Sequence, residues 1–324
     1  MDRNLALEVV RVTEGLRFVS KADIAVQDVL TQHRSTGEPV DRLVGRLTRS
    51  RGLGSRDRRL VGDRVFDELR NKPWPTWFTQ QITPELEQAL RQRAKPNLAV
   101  DRRHMTREEA LQLLNQAGII AKPSRIAETG LILEERLDLN KLAMRLQQAL
   151  WWMDEGSQRI ALEVQADPSD RVLDLCAGAG GKTRMILATG ASITMVDSSP
   201  QRLGKIKGVQ RFVADGRTLT LPLFDWILLD APCSGTGTLR RSPDLFGRLQ
   251  ENSIPRYALL QNELAKNAHR LLKPNGKLVY ATCSLLSAEN HRDFVGFDRI
   301  EHRQLLPSAD GCDGFYYAIF KKQL

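Results

Sequence analysis

The chain has 324 residues, a formal net charge of +9 and a 41% hydrophobic content, enough apolar material for about two domains with separate cores. No apolar run approaches the roughly 18 residues a membrane span needs, and residues 1–15 interleave charged with apolar side chains, so neither a membrane protein nor a secretory leader is expected. Cys176, Cys233, Cys283 and Cys312 form no CxxC pair, which argues against zinc, any other metal centre and a disulfide framework, and for a cytoplasmic chain.

Residues 4–33 carry apolar residues at helical spacing, among them Leu7, Val10, Val26, Val29 and Leu30, and further helices are predicted over 40–47 and 58–69, the last with Ser55 as its cap. Seven arginines and a single acid, Asp57, fall between Arg42 and Arg59, a run suited to phosphate or to a solvated helix face. Residues 1–80 therefore read as a basic helical module. Its end, 71–78, holds Pro73, Pro75, Trp74 and Trp77. The two indoles suit either stacking on bases or packing of a linker, the second being the ordinary use of such a pair.

A short helix is predicted over 84–93, a strand over 97–102, a helix opened by a Thr106/Glu109 capping box and closed at Gly118, and a strand over 131–133. Flanked by Arg102, Arg103, His104 and Arg107, this α+β unit of residues 81–153 suits RNA docking or plain packing. Residues 142–152 read as a helix or turn leading to Asp154-Glu-Gly-Ser-Gln158.

From Arg171 strands and helices alternate, the pattern of a doubly wound α/β sheet. Strands are predicted at 172–175, 192–196, 212–213, 225–230, 277–281 and 314–321, with a helix over 258–272 and a turn at 273–276. The first strand runs into Cys176-Ala177-Gly178-Ala179-Gly180-Gly181-Lys182-Thr183, a glycine-rich turn opening a helix. It fits neither the P-loop nor the dinucleotide spacing. Asp174, Asp197, Asp215 and Asp230 fall at strand ends on one edge, where a nucleoside-bearing ligand binds, and Asp197 is placed for ribose hydroxyls. The fourth strand leads into Pro232, Cys233 and a Ser-Gly-Thr-Gly-Thr loop, and the fifth ends at Thr282-Cys283-Ser284.

VLDLCAGAGGKT, LLDAPCSGTGTLRRSPD, LVYATCSLLSAEN and DGCDGFYYAIFKK resemble the signature segments of the bacterial Sun-type (RsmB-like) RNA cytosine-5 methyltransferases, over residues 154–324. GSRDRRLVGDRVFDELR is similar to that family's helical N-terminal domain, which is itself similar to NusB. The resemblance implies a Rossmann-like methyltransferase sheet over 154–324 that uses S-adenosylmethionine and acts as a monomer on RNA, ribosomal RNA of the small subunit first and transfer RNA second. It implies a cofactor site at Cys176, Ala177, Gly178, Ala179, Gly180, Gly181, Lys182, Asp197, Arg202, Asp215 and Asp230. It further implies Cys283 as nucleophile, Cys233 as the thiol that releases product, and Asp230 with Lys182 as their partners. Ala179 stands where the family usually has proline, and the stretch from Asp197 to Asp215 is short, which leaves the adenine side open and the role of Asp215 weaker. A non-catalytic RNA-binding assembly factor on the same fold is the rival reading, against which the retained Cys233 and Cys283 count.

Overall fold

The computed structural model describes residues 7–9 and 18–323; Val10, expected in the first helix, lies outside them. The chain divides into two units, one holding the described residues up to Thr83 together with Leu239–Glu251, the other Pro84–Thr238 with Asn252–Leu324.

The first unit opens with strands β1 (Leu7–Val9) and β2 (Phe18–Ser20), paired antiparallel. The helix expected from residue 4 therefore begins only at Lys21, and this region is not wholly helical. Ser20 stops the helix from extending back: its hydroxyl accepts the Asp23 N–H, and the Asp23 carboxylate accepts the Ser20 N–H, a reciprocal cap. Helices α1 (Lys21–Thr36), α2 (Val40–Ser50) and α3 (Ser55–Asn71) bury Val29, Leu30, Leu43, Val61 and Val65 between them. Each such side chain is worth about 1.5–3 kcal/mol once removed from water. Ser55 is the first residue of α3 and not its cap; Gly54 holds that place, with its N–H bonded to Asp57.

Helix α4 (Thr76–Thr79) follows, and Trp74 is buried against Phe78 and Phe246 with ring centres 5.9 and 6.0 Å away. The tryptophan packs and does not stand free for stacking. Phe246 belongs to the segment Leu239–Glu251, which Asp244 also fixes by accepting the Val40 N–H at 3.2 Å.

The second unit begins with α5 (Pro84–Arg91), then β3 (Asn97–Val100), α6 (Arg107–Gln116), β4 (Ala121–Pro123), β5 (Gly130–Leu133), α7 (Met144–Ala149) and β6 (Leu150–Trp152). The strands form an antiparallel sheet in the order β4-β5-β3-β6, and the Thr106–Glu109 capping box starts α6 as its sequence predicts.

After α8 (Glu155–Leu162) come β7 (Arg171–Leu175), α9 (Gly181–Ile186), β8 (Ser192–Asp197), β9 (Gln210–Val213), β10 (Phe224–Asp230), α10 (Ile254–Leu271), β11 (Leu272–Thr282), β12 (Phe297–Leu305) and β13 (Phe315–Lys322). They make one seven-stranded sheet in the order β12-β13-β11-β10-β7-β8-β9. The five strands β11 to β9 of that order run parallel, and β13 and β12 close the edge antiparallel. The chain steps outward from β7 to β9 and then restarts at β10 on the other side of β7. That reversal opens a crevice at the carboxyl ends of β7 and β10. The expected turn at 273–276 is a bulge within β11, since Phe224 pairs with Leu272 but Trp226 pairs with Lys277.

Two features tie this sheet to its loops. Asp174 does not reach the crevice: it is 1% exposed, one residue short of the strand end, and accepts the Thr183 hydroxyl of α9. Burial pushes its carboxyl up to about 7. Gly237 lies against Gly314, with its N–H donating to the Cys283 carbonyl at 2.9 Å and its carbonyl accepting the Gly314 N–H at 2.8 Å.

A β-carbon at residue 237 would stand 1.9 Å from the Gly314 carbonyl oxygen, so Gly237→Ala is expected to destabilise the protein by roughly 3 kcal/mol, read as the urea midpoint. A midpoint within error of the parent would show that the two backbones can part. Asp174 holds its proton in the folded chain over a range where the unfolded carboxyl, with a pKa of about 3.9, has lost it. Its contribution to stability therefore falls as pH rises from about 4 to 7. Asp174→Asn should remove that decline from urea midpoints measured across pH, and an unchanged decline would place its source elsewhere.

Candidate active site

Cys233 and Cys283 reach the crevice from neighbouring parallel strands. Asp230 ends β10 opposite Ala281 of β11, and each chain then runs a few residues further to its thiol. The two sulfurs are 3.3 Å apart, both thiols are free and both are partly exposed. The contact with Cys283, followed by burial, pushes the Cys233 thiol well above its ordinary range.

Lys182, in the first turn of α9, extends to Asp230 with Nζ 2.6 Å from Oδ2. Burial works against the ammonium, but the Asp230 carboxylate more than offsets it and holds Lys182 above its usual range. Cys283 acts on Lys182 in the same direction as Asp230, so the cation serves a carboxylate and a sulfur together.

The loops bearing the two thiols are held by one buried carboxylate that sequence reading missed. Glu289 is fully buried and accepts the Ser234 N–H at 2.8 Å, the Ser234 hydroxyl at 2.5 Å, the Ser284 hydroxyl at 2.5 Å and the Gln261 amide at 3.1 Å. Ser234 follows Cys233 and Ser284 follows Cys283, so this side chain clamps the residue after each thiol. Asn290 adds a second tie, accepting from the Thr282 hydroxyl and donating to the Ser284 carbonyl. The signal available in the sequence was the pair Glu289-Asn290 just past a strand-end cysteine, in a stretch otherwise apolar or small.

The glycine-rich turn lies between β7 and α9. Cys176, Gly178 and Gly180 have φ of 68°, 53° and 81°, which folds the backbone tightly enough to bare its N–H groups. Gly180 is packed, since a β-carbon there would meet Ile206 and Met195 at 2.6 and 2.7 Å, whereas at Gly178 it would meet nothing within 4 Å. Open space beside Gly178, at the switch point of the sheet, fits a nucleoside-bearing cofactor such as S-adenosylmethionine. Burial pushes the Cys176 thiol up to about 12.

Asp197 ends β8, is 2% exposed, and accepts the Gly178 N–H at 3.0 Å, the Ser199 N–H at 2.8 Å and an Arg202 N–H at 2.9 Å. The short segment beyond it folds back on the turn: the Gly204 N–H donates to the Gly178 carbonyl at 2.9 Å. Asp215 lies past β9, where Arg217 holds its carboxyl below the usual range and also pairs with Glu263 of α10. Of the arginine run in the first unit, Arg46 pairs with Glu38 and Arg51 with Asp28, while Arg42, Arg49, Arg56 and Arg59 are exposed. Among the described residues no group of acids, histidines and cysteines could hold a metal, and no helix is long and apolar enough to cross a membrane.

Comparison with known proteins agrees with this arrangement. Residues 160–297 match the family model of 16S rRNA methyltransferase RsmB/F, and residues 71–140 match that of the ferredoxin-like domain of RsmF/B-like methyltransferases. Ribosomal RNA small subunit methyltransferase B of Vibrio cholerae is 33% identical over 283 residues, covering 77% of this chain and 65% of the relative. The protein of the same name from Yersinia pestis is 35% identical over 287 residues, covering 76% and 66%. The chain thus spans about 65% of the length of the curated relatives it matches. Among solved structures, a methyltransferase homologue from Pyrococcus horikoshii superposes with a TM-score of 0.67 at 22% identity, covering 79% of this chain and 98% of that one. NSun6 from the same organism, with SFG, superposes with a TM-score of 0.63 at 18% identity, covering 79% and 97%. These two establish the shared fold. With both family models and the named relatives in agreement, the protein belongs to the Sun-type, RsmB/F family of methyltransferases.

Proposed function

We propose that the chain methylates C5 of a cytosine in RNA, with small-subunit ribosomal RNA as the substrate, through a covalent bond between Cys283 and C6 of the base. The observation that carries this reading is the pair of sulfurs 3.3 Å apart beside the Lys182–Asp230 ion pair. A cysteine kept only for packing has no use for a second thiol and a buried cation beside it. The names of the curated relatives support the choice of ribosomal RNA, and transfer RNA is the alternative within the same chemistry.

C5 of cytosine is too weak a nucleophile to take a methyl group unaided. Addition of the Cys283 thiolate to C6 forms an S–C bond and moves the ring electrons toward N3 and C5. The charge at N3 is neutralised by a proton that the Lys182 ammonium passes through the Asp230 carboxylate, and that proton returns to Lys182 as the S–C6 bond breaks. S-adenosylmethionine would be held by the turn from Cys176 to Gly181 and by Asp197, and would supply an electrophilic methyl group: C5 bonds to it as the methyl–sulfonium bond breaks, its electron pair leaving on the sulfur as a neutral thioether. C5 then carries both a methyl group and its original proton.

Cys233 completes the turnover. At rest its proton is retained through the contact with Cys283. Once the Cys283 sulfur is bonded to carbon that contact ends, so Cys233 can give its proton to solvent and accept the one on C5. The C5–H electrons re-form the ring double bond, and the S–C6 pair returns to Cys283. The base must be unpaired or turned out of its stack to enter. The helical first unit, with its exposed arginines, serves as an RNA-binding module similar to NusB.

RNA containing 5-azacytidine should become covalently linked to the wild type and not to Cys283→Ala, read as a shifted band on a denaturing gel; equal trapping by both would move the nucleophile elsewhere. Cys233→Ala should accumulate an adduct with ordinary RNA, and normal turnover would remove its assigned role. Glu289→Gln keeps the shape of the clamp but removes its charge, and trapping should slow roughly 10- to 100-fold as the thiols lose registration. Because the Glu289 charge raises the Cys233 thiol, alkylation of Cys233 in that variant should begin at lower pH. An unshifted alkylation profile would reduce Glu289 to a scaffold residue.

A further inference from the structure

A cavity of about 940 Å³ opens in the second unit where the turn after β3, the loop from β4 to β5 and strand β6 face α8 and α9. None of Lys182, Asp230, Cys233 and Cys283 lines it. Six arginines do: Arg102, Arg103, Arg107, Arg125, Arg159 and Arg184, against the carboxylates of Asp101 and Glu128.

Both lining acids are already committed. Asp101 binds Arg103 through two hydrogen bonds of 2.9 and 2.6 Å, and Glu128 pairs with Arg102. Arg107 reaches Glu108 at 3.2 Å and Arg159 the buried Glu163 at 2.5 Å. Arg125 and Arg184 are exposed and have no carboxylate within ion-pair distance among the described residues. The Arg184 guanidinium lies 5.5 Å from the centre of the Trp151 ring. That contact engages the flat face of the cation and leaves its in-plane N–H donors available. The Trp151 indole N–H, buried in the same wall, has no acceptor among the described residues.

The lining therefore holds positive charge in excess of its two committed acids, and N–H donors in excess of the acceptors they can reach. A phosphodiester chain supplies both deficits, and the cavity is far larger than one phosphate ion needs. Helix α9 relates this wall to the thiol site. Lys182 and Arg184 are two residues apart, about 200° around a helix, so one side of α9 presents the lysine to Asp230 and the other presents the arginine to the cavity. We propose that this arginine groove binds the phosphodiester backbone of the substrate RNA, as a site separate from the one that takes the target base. The proposal rests on the reading of the chain as an RNA methyltransferase and locates where that RNA is gripped.

The test uses the full chain carrying Cys283→Ala, which cannot form the adduct, and a fluorescein-labelled single-stranded RNA followed by anisotropy across a salt series. Replacing Arg125 and Arg184 by alanine should weaken binding roughly tenfold at low salt and make the slope of log affinity against log salt shallower by about 1.4, or about 0.7 for each phosphate that is no longer neutralised. The doubly lysine-substituted protein should keep the slope. Unchanged affinity and slope in the alanine protein, with its thermal unfolding unaltered, would overturn the groove. So would inorganic phosphate displacing RNA beyond the effect of chloride at equal ionic strength, since that marks a site for a free anion. Polyglutamate binding abolished by the same substitutions while RNA binding persists would move the groove to an acidic protein partner. A shallower slope with no trapping of 5-azacytidine RNA by the parent would keep the groove and discard the cytosine chemistry; trapping with an unchanged slope would do the reverse.

Discussion

One buried carboxylate sets the geometry on which the site depends. Glu289 has no cationic partner within ion-pair distance among the described residues; it is neutralised only by the donors it collects from Ser234, Ser284 and Gln261. A charge buried this way is costly unless every donor is in place. That cost is what makes the arrangement specific, because the donors come from three separate stretches of chain: the loop after β10, the loop after β11 and helix α10. Moving either cysteine loop would strip the carboxylate of bonds it cannot replace from water. The 3.3 Å approach of the two sulfurs is thus enforced from beneath by a network with no slack.

The parallel pairing of β10 with β11 performs the coarser part of the same task. It places Asp230 beside Ala281, so that the two loops start level before the clamp adjusts them. Because β7 is the other neighbour of β10, the turn from Cys176 to Gly180 and helix α9 start from the same end of the sheet. Lys182 then needs only its own length to reach Asp230.

The buried strands were legible because both of their faces are covered. Trp226 to Leu229 form an unbroken apolar run, and β7 and β8 are mostly apolar, interrupted inside only by Asp174 and Thr194. The antiparallel edge strand β12 was invisible for the opposite reason: Asp298 to Arg303 are all exposed and mostly charged, which protects an edge and erases the period. Ser55 misled because a good capping residue type stood one position inside the helix, where Gly54 and Asp57 already supplied the bond. The thiols, Asp230 and Lys182 could be read from short segments, since residues with special chemistry cluster at strand ends. Glu289 could not, because its importance lies in which distant hydroxyls reach it. The arginine groove was half legible: Arg102, Arg103 and Arg107 stand together in the chain, but Arg125, Arg159 and Arg184 join them only through the fold.

The rise of the Cys233 thiol follows from this architecture. Lys182 stands on one side of the pair, held above its usual range chiefly by Asp230. Glu289 stands on the other side and opposes negative charge on Cys233. With the sulfurs 3.3 Å apart, the Cys283 contact and burial raise the Cys233 thiol, and Glu289 adds in the same direction. On the proposed reading one thiol adds to the base and the other moves a proton, and two thiolates at that distance would repel. The rise at Cys233 comes first from the Cys283 sulfur and from burial, with the glutamate past β11 adding to it, and the parallel pairing of β10 with β11 brings these groups together.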